Sequence, residues 1–287
     1  MKEALNILTI GNSFADSAER ALVPLAKFVG VKLNIVKANF GGCELRRHWS
    51  YIDAEIKNPA DCRIYSYGPL SKRLSETPWD VVTIQQASHE SWRAETFQPY
   101  AGNIFNFIKQ HAPSAEVVVQ QTWAYRADHP QFKKNSEWGI SQNEMYEKLT
   151  PNYKKLAADL GNLRIIPTGY AVQLARKMQP VKFRALSDEE HAALVYPDTP
   201  PQAGALVGSD WYVKDDITGE FIHKTDRIHL NARGEYLQGM VWFGMLFDCN
   251  VENIDYVPEK IGKSDAAFLR QIAQKAIDSA ENIPETC

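Results

Sequence analysis

Short apolar runs alternate along this chain with longer stretches of helical periodicity. Ile7–Ile10 is an apolar run rich in β-formers, which predicts a buried parallel strand. Gly11 and Asn12 break it, and Ala18, Ala21, Leu22, Leu25 and Val29 then recur at helical spacing up to a closing Gly30. The same alternation predicts strands at Leu33–Ala38, Asp80–Ile84, Glu116–Gln120 and Leu163–Ile166, with Pro167 stopping the last. Helical patterns fall between and after them, at about 99–111, 141–160 and 169–178. A final helix follows Asn231, with Leu237, Met240, Val241, Gly244 and Met245 on one face and Asn231 as its N-cap. Strands alternating with helices predict an α/β protein with a parallel sheet covered on both faces. Right-handed crossovers then bring every strand's carboxyl end to one edge.

Two segments depart from this rhythm. Residues 122–140 carry Trp123, Tyr125, Phe132 and Trp138 among polar residues without a clear period. Residues 180–225 hold Pro197, Pro200, Pro201 and several glycines. Both read as irregular insertions, either walls or lids over a site at the sheet edge or plain surface loops. With no repeat and no linker, residues 1–287 are expected to form a single domain.

Composition narrows the class. The chain has 287 residues, 44% hydrophobic and 23% charged, the profile of a globular protein. A net charge of −3 and a pI near 6.2 predict neither nucleic acid nor an anionic membrane as partner. The longest apolar run, Met240–Phe247, is too short to span a bilayer, so no membrane insertion is expected. The polar Met1–Asn6 segment lacks a secretory pattern, so a cytoplasmic location is expected, or a periplasmic or secreted one if a leader has been removed. Cys43, Cys62, Cys249 and Cys287 are scattered and form no C-x-x-C pair.

Candidate chemistry begins at Ser13, at the turn from the first strand into the first helix. Ligands of open α/β sheets bind at that edge, beside free helix N–H groups. Ser13 is therefore either a nucleophile or the N-cap of the helix behind it. Near the other end, Asp226 and His229 stand three residues apart in what reads as the loop before the last core helix. A carboxylate on one ring nitrogen fixes the tautomer, leaving the other to take a proton from serine. A surface pair is the alternative. His48 either lines the pocket or lies on a helix face. His89 and Glu90 with His223 lack any metal-binding spacing, so no metal and no cofactor are predicted.

The order G-N-S-F, a Gly-Gly pair after the second strand, a polar cluster after the third and a late D-x-x-H resembles the SGNH (GDSL-type) hydrolase superfamily, near its sialate O-acetylesterase-like branch. The resemblance runs from Leu5 to about Leu246. It implies a three-layer, flavodoxin-like α/β fold with a central, mostly parallel five-stranded sheet. It also implies Ser13 as nucleophile and oxyanion donor, His229 as base and Asp226 as the orienting acid. Gly42 matches the oxyanion glycine, with Gly41 one register away. Where the family has Gly-x-Asn-Asp, this chain reads Gln85-Gln86-Ala87-Ser88-His89-Glu90. Gln85 is the expected third oxyanion donor; Ser88 is an alternative donor or a buttress, and His89 occupies the place of the missing asparagine.

The implied activity is a metal-independent serine esterase acting on small acyl, chiefly O-acetyl, esters of carbohydrates. A lipid or aryl ester hydrolase and a non-catalytic carbohydrate-binding protein are the alternatives. Trp49, Trp92, Trp123, Tyr125 and Trp138, interleaved with Arg46, Arg47, Arg93, Arg126 and Asp128, favour a saccharide, whose C–H face stacks on aromatic rings while its hydroxyls need polar partners. Ser88, His89 and Trp123 are the substrate-binding candidates.

Overall fold

A computed structural model describes residues 1–59, 65 and 68–286, and in it the five apolar runs form one parallel sheet. Its strands are β1 (Ala4–Gly11), β2 (Lys32–Asn39), β3 (Val81–Ile84), β4 (Glu116–Gln120) and β5 (Ile165–Ile166), in the order β2-β1-β3-β4-β5. This is the flavodoxin-like order, in which the chain steps outward from β1 in both directions. All pairings are parallel, and Gly11 lies opposite Asn39, which sets the carboxyl ends of β1 and β2 side by side. Every residue of β3 is buried, as expected for a strand covered on both faces.

Helices flank the sheet in two groups. Helix α1 (Ser13–Val29) follows β1; α2 (Leu45–Lys57), α3 (Leu70–Glu76) and α4 (Tyr100–His111) pack on one another. After α5 (Gln142–Asp159) and α6 (Thr168–Met178) come the short α7 (Asp188–Ala192), then α8 (Ala232–Phe247) and α9 (Lys263–Asp278), with α8 packed between α1 and α9. Helix α8 is buried on nearly all sides rather than on one face, so its periodicity is weak in sequence. Gly239 permits its close approach to α1: a Cβ there would sit 2.7 Å from Ala21 Cβ.

Residues 180–225 are more ordered than their composition predicts. They contain α7 and most of an antiparallel hairpin, β6 (Val207–Lys214) and β7 (Phe221–Leu230). Asp226 and His229 therefore stand on a strand, not in a loop. Residues 122–140, by contrast, are irregular apart from one 3₁₀ turn at Pro130–Phe132. Cys43 and Cys249 are free thiols, and Cys62 and Cys287 lie outside the described residues. No helix among the described residues is long and apolar enough to cross a membrane.

Candidate active site

Asn12, not Ser13, caps helix α1. Its Oδ1 accepts the Phe14 N–H at 3.1 Å, while its Nδ2 donates to the Cys43 carbonyl at 3.2 Å. Ser13 thus becomes the first residue of the helix, and its hydroxyl is left for another partner. That partner is His229: Ser13 Oγ lies 2.8 Å from Nε2. On the other side of the ring, Nδ1 lies 2.7 Å from Asp226 Oδ2. Asp226 Oδ1 accepts the backbone N–H groups of Ile228 at 2.7 Å and His229 at 3.0 Å, which fixes the carboxylate. Burial would raise the Asp226 pKa, but the bonds from the His229 ring and these N–H groups outweigh it and hold the carboxyl well below its ordinary range. The nucleophile, base and orienting acid read from sequence are thus brought into one hydrogen-bonded chain.

The site is partly open, with 42% of the His229 side chain exposed. Gly42 is exposed in a turn at φ 61°, and Ser13 N–H lies at the start of α1, beside the N–H that Asn12 caps; neither the Gly42 nor the Ser13 N–H has a protein acceptor among the described residues. His48 does not line the pocket. It is fully buried, and its Nε2 lies 2.8 Å from the Gly11 carbonyl, to which it donates, pinning the end of β1 to α2. Burial lowers its pKa to about 4, so this imidazole is neutral.

Three expected contacts with the reacting atoms are not made. Gln85 is 1% exposed, and its Nε2 donates to Asn12 Oδ1 at 2.7 Å. An oxyanion donor must face the substrate, so Gln85 is instead a positioning residue for the cap. Ser88 is likewise buried, its hydroxyl paired with the Tyr125 phenol at 2.8 Å. Trp123 is sealed from solvent, stacked on Phe14 at 3.8 Å with its Nε1 donating to the Ile228 carbonyl at 2.9 Å. It cannot offer a face to a sugar; it supports Phe14, next to Ser13, and Ile228, next to His229. His89 remains half-exposed, 3.3 Å from Glu44.

Arg126 has a role that its sequence context does not reveal. Nearly inaccessible, it donates to Asp128 at 2.7 and 2.9 Å, to Asp210 at 2.9 Å and to Thr225 at 3.2 Å. Its backbone N–H also donates to the Arg227 carbonyl at 2.8 Å. It is therefore the pin between the irregular 122–140 segment and the hairpin that carries Asp226 and His229, not a sugar contact. The structure also gathers His191, Asp210 and His223, from α7, β6 and β7, with one potential ligand atom of each within 4.8 Å of the others. No short motif joins these three in sequence.

A flavodoxin-like sheet with a serine at the carboxyl end of β1, hydrogen-bonded to the histidine of an Asp-x-x-His, is the arrangement that the sequence resemblance to SGNH-type hydrolases implies. More particularly, the chain belongs to the DUF4886 family, a domain of unknown function whose model matches residues 6–185. It is similar to a DUF4886 family protein from Bacteroides uniformis, with 25% identity, a TM-score of 0.71 and 98% of each chain covered. It is more distantly similar to a candidate SGNH hydrolase from Slackia heliotrinireducens (21% identity, TM-score 0.49, 83% of this chain and 96% of that one). A member of the lipolytic G-D-S-L family from Veillonella parvula gives 12% identity, a TM-score of 0.43 and coverage of 85% and 99%. No curated protein is matched by the sequence.

Proposed function

We propose that this protein is a metal-independent serine esterase that removes small acyl groups, chiefly O-acetyl, from carbohydrates. The observation that carries the esterase reading is the unbroken chain Ser13 Oγ, His229, Asp226, at 2.8 and 2.7 Å. Ser13 attacks the ester carbonyl as His229 Nε2 takes its proton. The tetrahedral oxyanion is received by the N–H groups of Ser13 and Gly42, at the positive end of α1. His229 then protonates the departing alcohol, leaving an acyl-Ser13, and activates water for the second half of the reaction. Asp226, held as a carboxylate, stabilises the imidazolium formed in both halves.

The substrate class is supported by the surroundings. The site is partly open, and α2, which follows the Gly42 turn, carries the exposed Arg46 and Arg47 and the half-buried Trp49. Elsewhere Trp92 and Trp138 lie 5.5 Å apart, and the Arg93 guanidinium lies over the Trp92 ring at 4.7 Å. Half-exposed aromatic faces beside guanidinium groups suit a sugar alcohol leaving group better than a long acyl chain. Labelling by a fluorophosphonate probe, lost in Ser13→Ala, tests the nucleophile. Acetate release from acetylated saccharides, compared with hydrolysis of p-nitrophenyl esters of increasing length, tests the substrate. Labelling that persists in Ser13→Ala refutes the mechanism; a preference for long acyl chains refutes the carbohydrate assignment alone.

A further inference from the structure

We propose that His191, Asp210 and His223 bind a divalent transition-metal ion of the zinc type, which ties helix α7 to the hairpin carrying Asp226 and His229. The Asp210 side chain is wholly buried, yet only one of its oxygens is satisfied: Oδ2 accepts from Arg126 Nη1 at 2.9 Å and Gln202 Nε2 at 2.8 Å. Oδ1 is buried without a hydrogen bond, and so are His223 Nε2 and His191 Nε2. Three buried, unpaired polar atoms on neighbouring side chains are costly unless something joins them.

Hydrogen bonding within the trio does not supply the join. His223 Nε2 lies 3.2 Å from Asp210 Oδ1, close enough for an ion pair but without the direction of a hydrogen bond. That separation does match the edge of a tetrahedral zinc site, about 3.3 Å for ligands at 2.0–2.1 Å from the ion. His191, whose ring centroid lies 5.3 Å from that of His223, offers the third ligand atom, and the three lie within 4.8 Å of one another. Two imidazoles and one carboxylate select zinc or its first-row neighbours over calcium and magnesium, which take oxygen ligands. Arg126 and Gln202 act as the outer partners that orient a ligating carboxylate. An ion here would fasten the far end of β7, because His223 precedes Asp226 by three residues on that strand.

The site is separate from the reacting groups, so its test is independent of the esterase reading. Tag-free full-length protein, stripped with a chelator and dialysed, is titrated with Zn²⁺ and with Co²⁺ by calorimetry and visible absorption. One ion per chain is expected, with micromolar or tighter affinity, tetrahedral-type Co²⁺ bands and a Tm raised by several degrees on Zn²⁺ addition. His191→Ala and His223→Ala should each weaken binding at least about ten-fold and abolish the Tm gain. His191 sits on a short surface helix, so its variant decides the matter if His223→Ala fails to fold. Absence of stoichiometric binding, or binding unchanged in His191→Ala, overturns the proposal.

Discussion

Replacing Trp123 by alanine separates a supporting residue from a substrate platform. The indole is fully buried, its ring plane within 2° of that of Phe14, and its N–H satisfies the Ile228 carbonyl. Truncating a buried aromatic of this kind costs roughly 3–5 kcal/mol through lost packing and the cavity left behind. At about 2 °C per kcal/mol for a chain of this size, thermal unfolding should move down by roughly 6–10 °C. Trp123→Phe keeps one ring against Phe14 but loses the rest of the indole and its hydrogen bond, leaving a part-buried carbonyl unpaired; it should therefore cost less than the alanine variant. Catalysis should suffer through geometry. Phe14 follows Ser13, the proposed nucleophile, and Ile228 precedes His229, the proposed base, and a misplacement near 1 Å can cost on the order of 10²-fold. The loss in kcat/KM should then be the same factor for p-nitrophenyl acetate and for an acetylated saccharide, because neither touches the indole. Circular dichroism melts and the two assays, run on wild type, Trp123→Ala and Trp123→Phe, decide it. An unchanged Tm, or a loss confined to the saccharide, would refute the argument.

Other perturbations test the remaining parts. Ser13→Ala or His229→Ala should each lower kcat by about 10⁴–10⁶-fold, and Asp226→Ala by less, measured on purified protein with an acetyl ester. Gln85→Ala should lower Tm and reduce kcat by less than about 10²-fold; a loss of 10²–10³-fold at unchanged Tm is the signature of a true oxyanion donor and would return that role to Gln85. Stability should fall as pH drops from about 6.5 towards 4, because His48 is held neutral in the fold, with its pKa near 4, but takes a proton near 6.5 when unfolded. The contribution is up to roughly 3 kcal/mol, present above the unfolded value and lost on acidification. In urea melts across this range His48→Gln should show a shallower dependence; His129, also lowered to about 4 by burial and the nearby Arg227, leaves a residual slope in both proteins. A slope as steep as that of wild type would show that His48 does not titrate as argued.

The parallel strands were legible because a strand covered on both faces is mostly apolar, as Ile7–Ile10, apart from Thr9, and Val117–Val119 are. The hairpin was not, because Phe221–Ile228 is only partly buried and alternates apolar with charged residues at no single period. So Asp226 and His229 could be recognised from residue type and order while their backbone was misread as loop. The aromatic residues gave the opposite difficulty. Sequence shows that Trp123 and Tyr125 follow a strand, but not that Phe14 and Ser88 close over them. Gln85 misleads for the same reason: its amide has the chemistry of an oxyanion donor, and only packing shows that Asn12 already holds it. The His191–Asp210–His223 group comes from three elements of a segment whose prolines and glycines suggested no structure at all.

The proposed reacting groups come from two sheets. Ser13 is fixed by the main sheet: Asn12 caps α1, Gln85 holds Asn12, and His48 holds Gly11. Asp226 and His229 belong to the hairpin, whose partly buried strands pair, among the described residues, with each other alone. Ser13 meets His229 where the hairpin docks on the main sheet, and two sets of part-buried contacts help to hold it there. Trp123 ties the Ile228 carbonyl to Phe14, and Arg126 ties β6 and β7 to the 122–140 segment through Asp210, Thr225 and the Arg227 carbonyl. Both residues lie just beyond β4. The short stretch after that strand thus positions the proposed triad without supplying any of its members, which is why irregular sequence there is compatible with a tightly buried core.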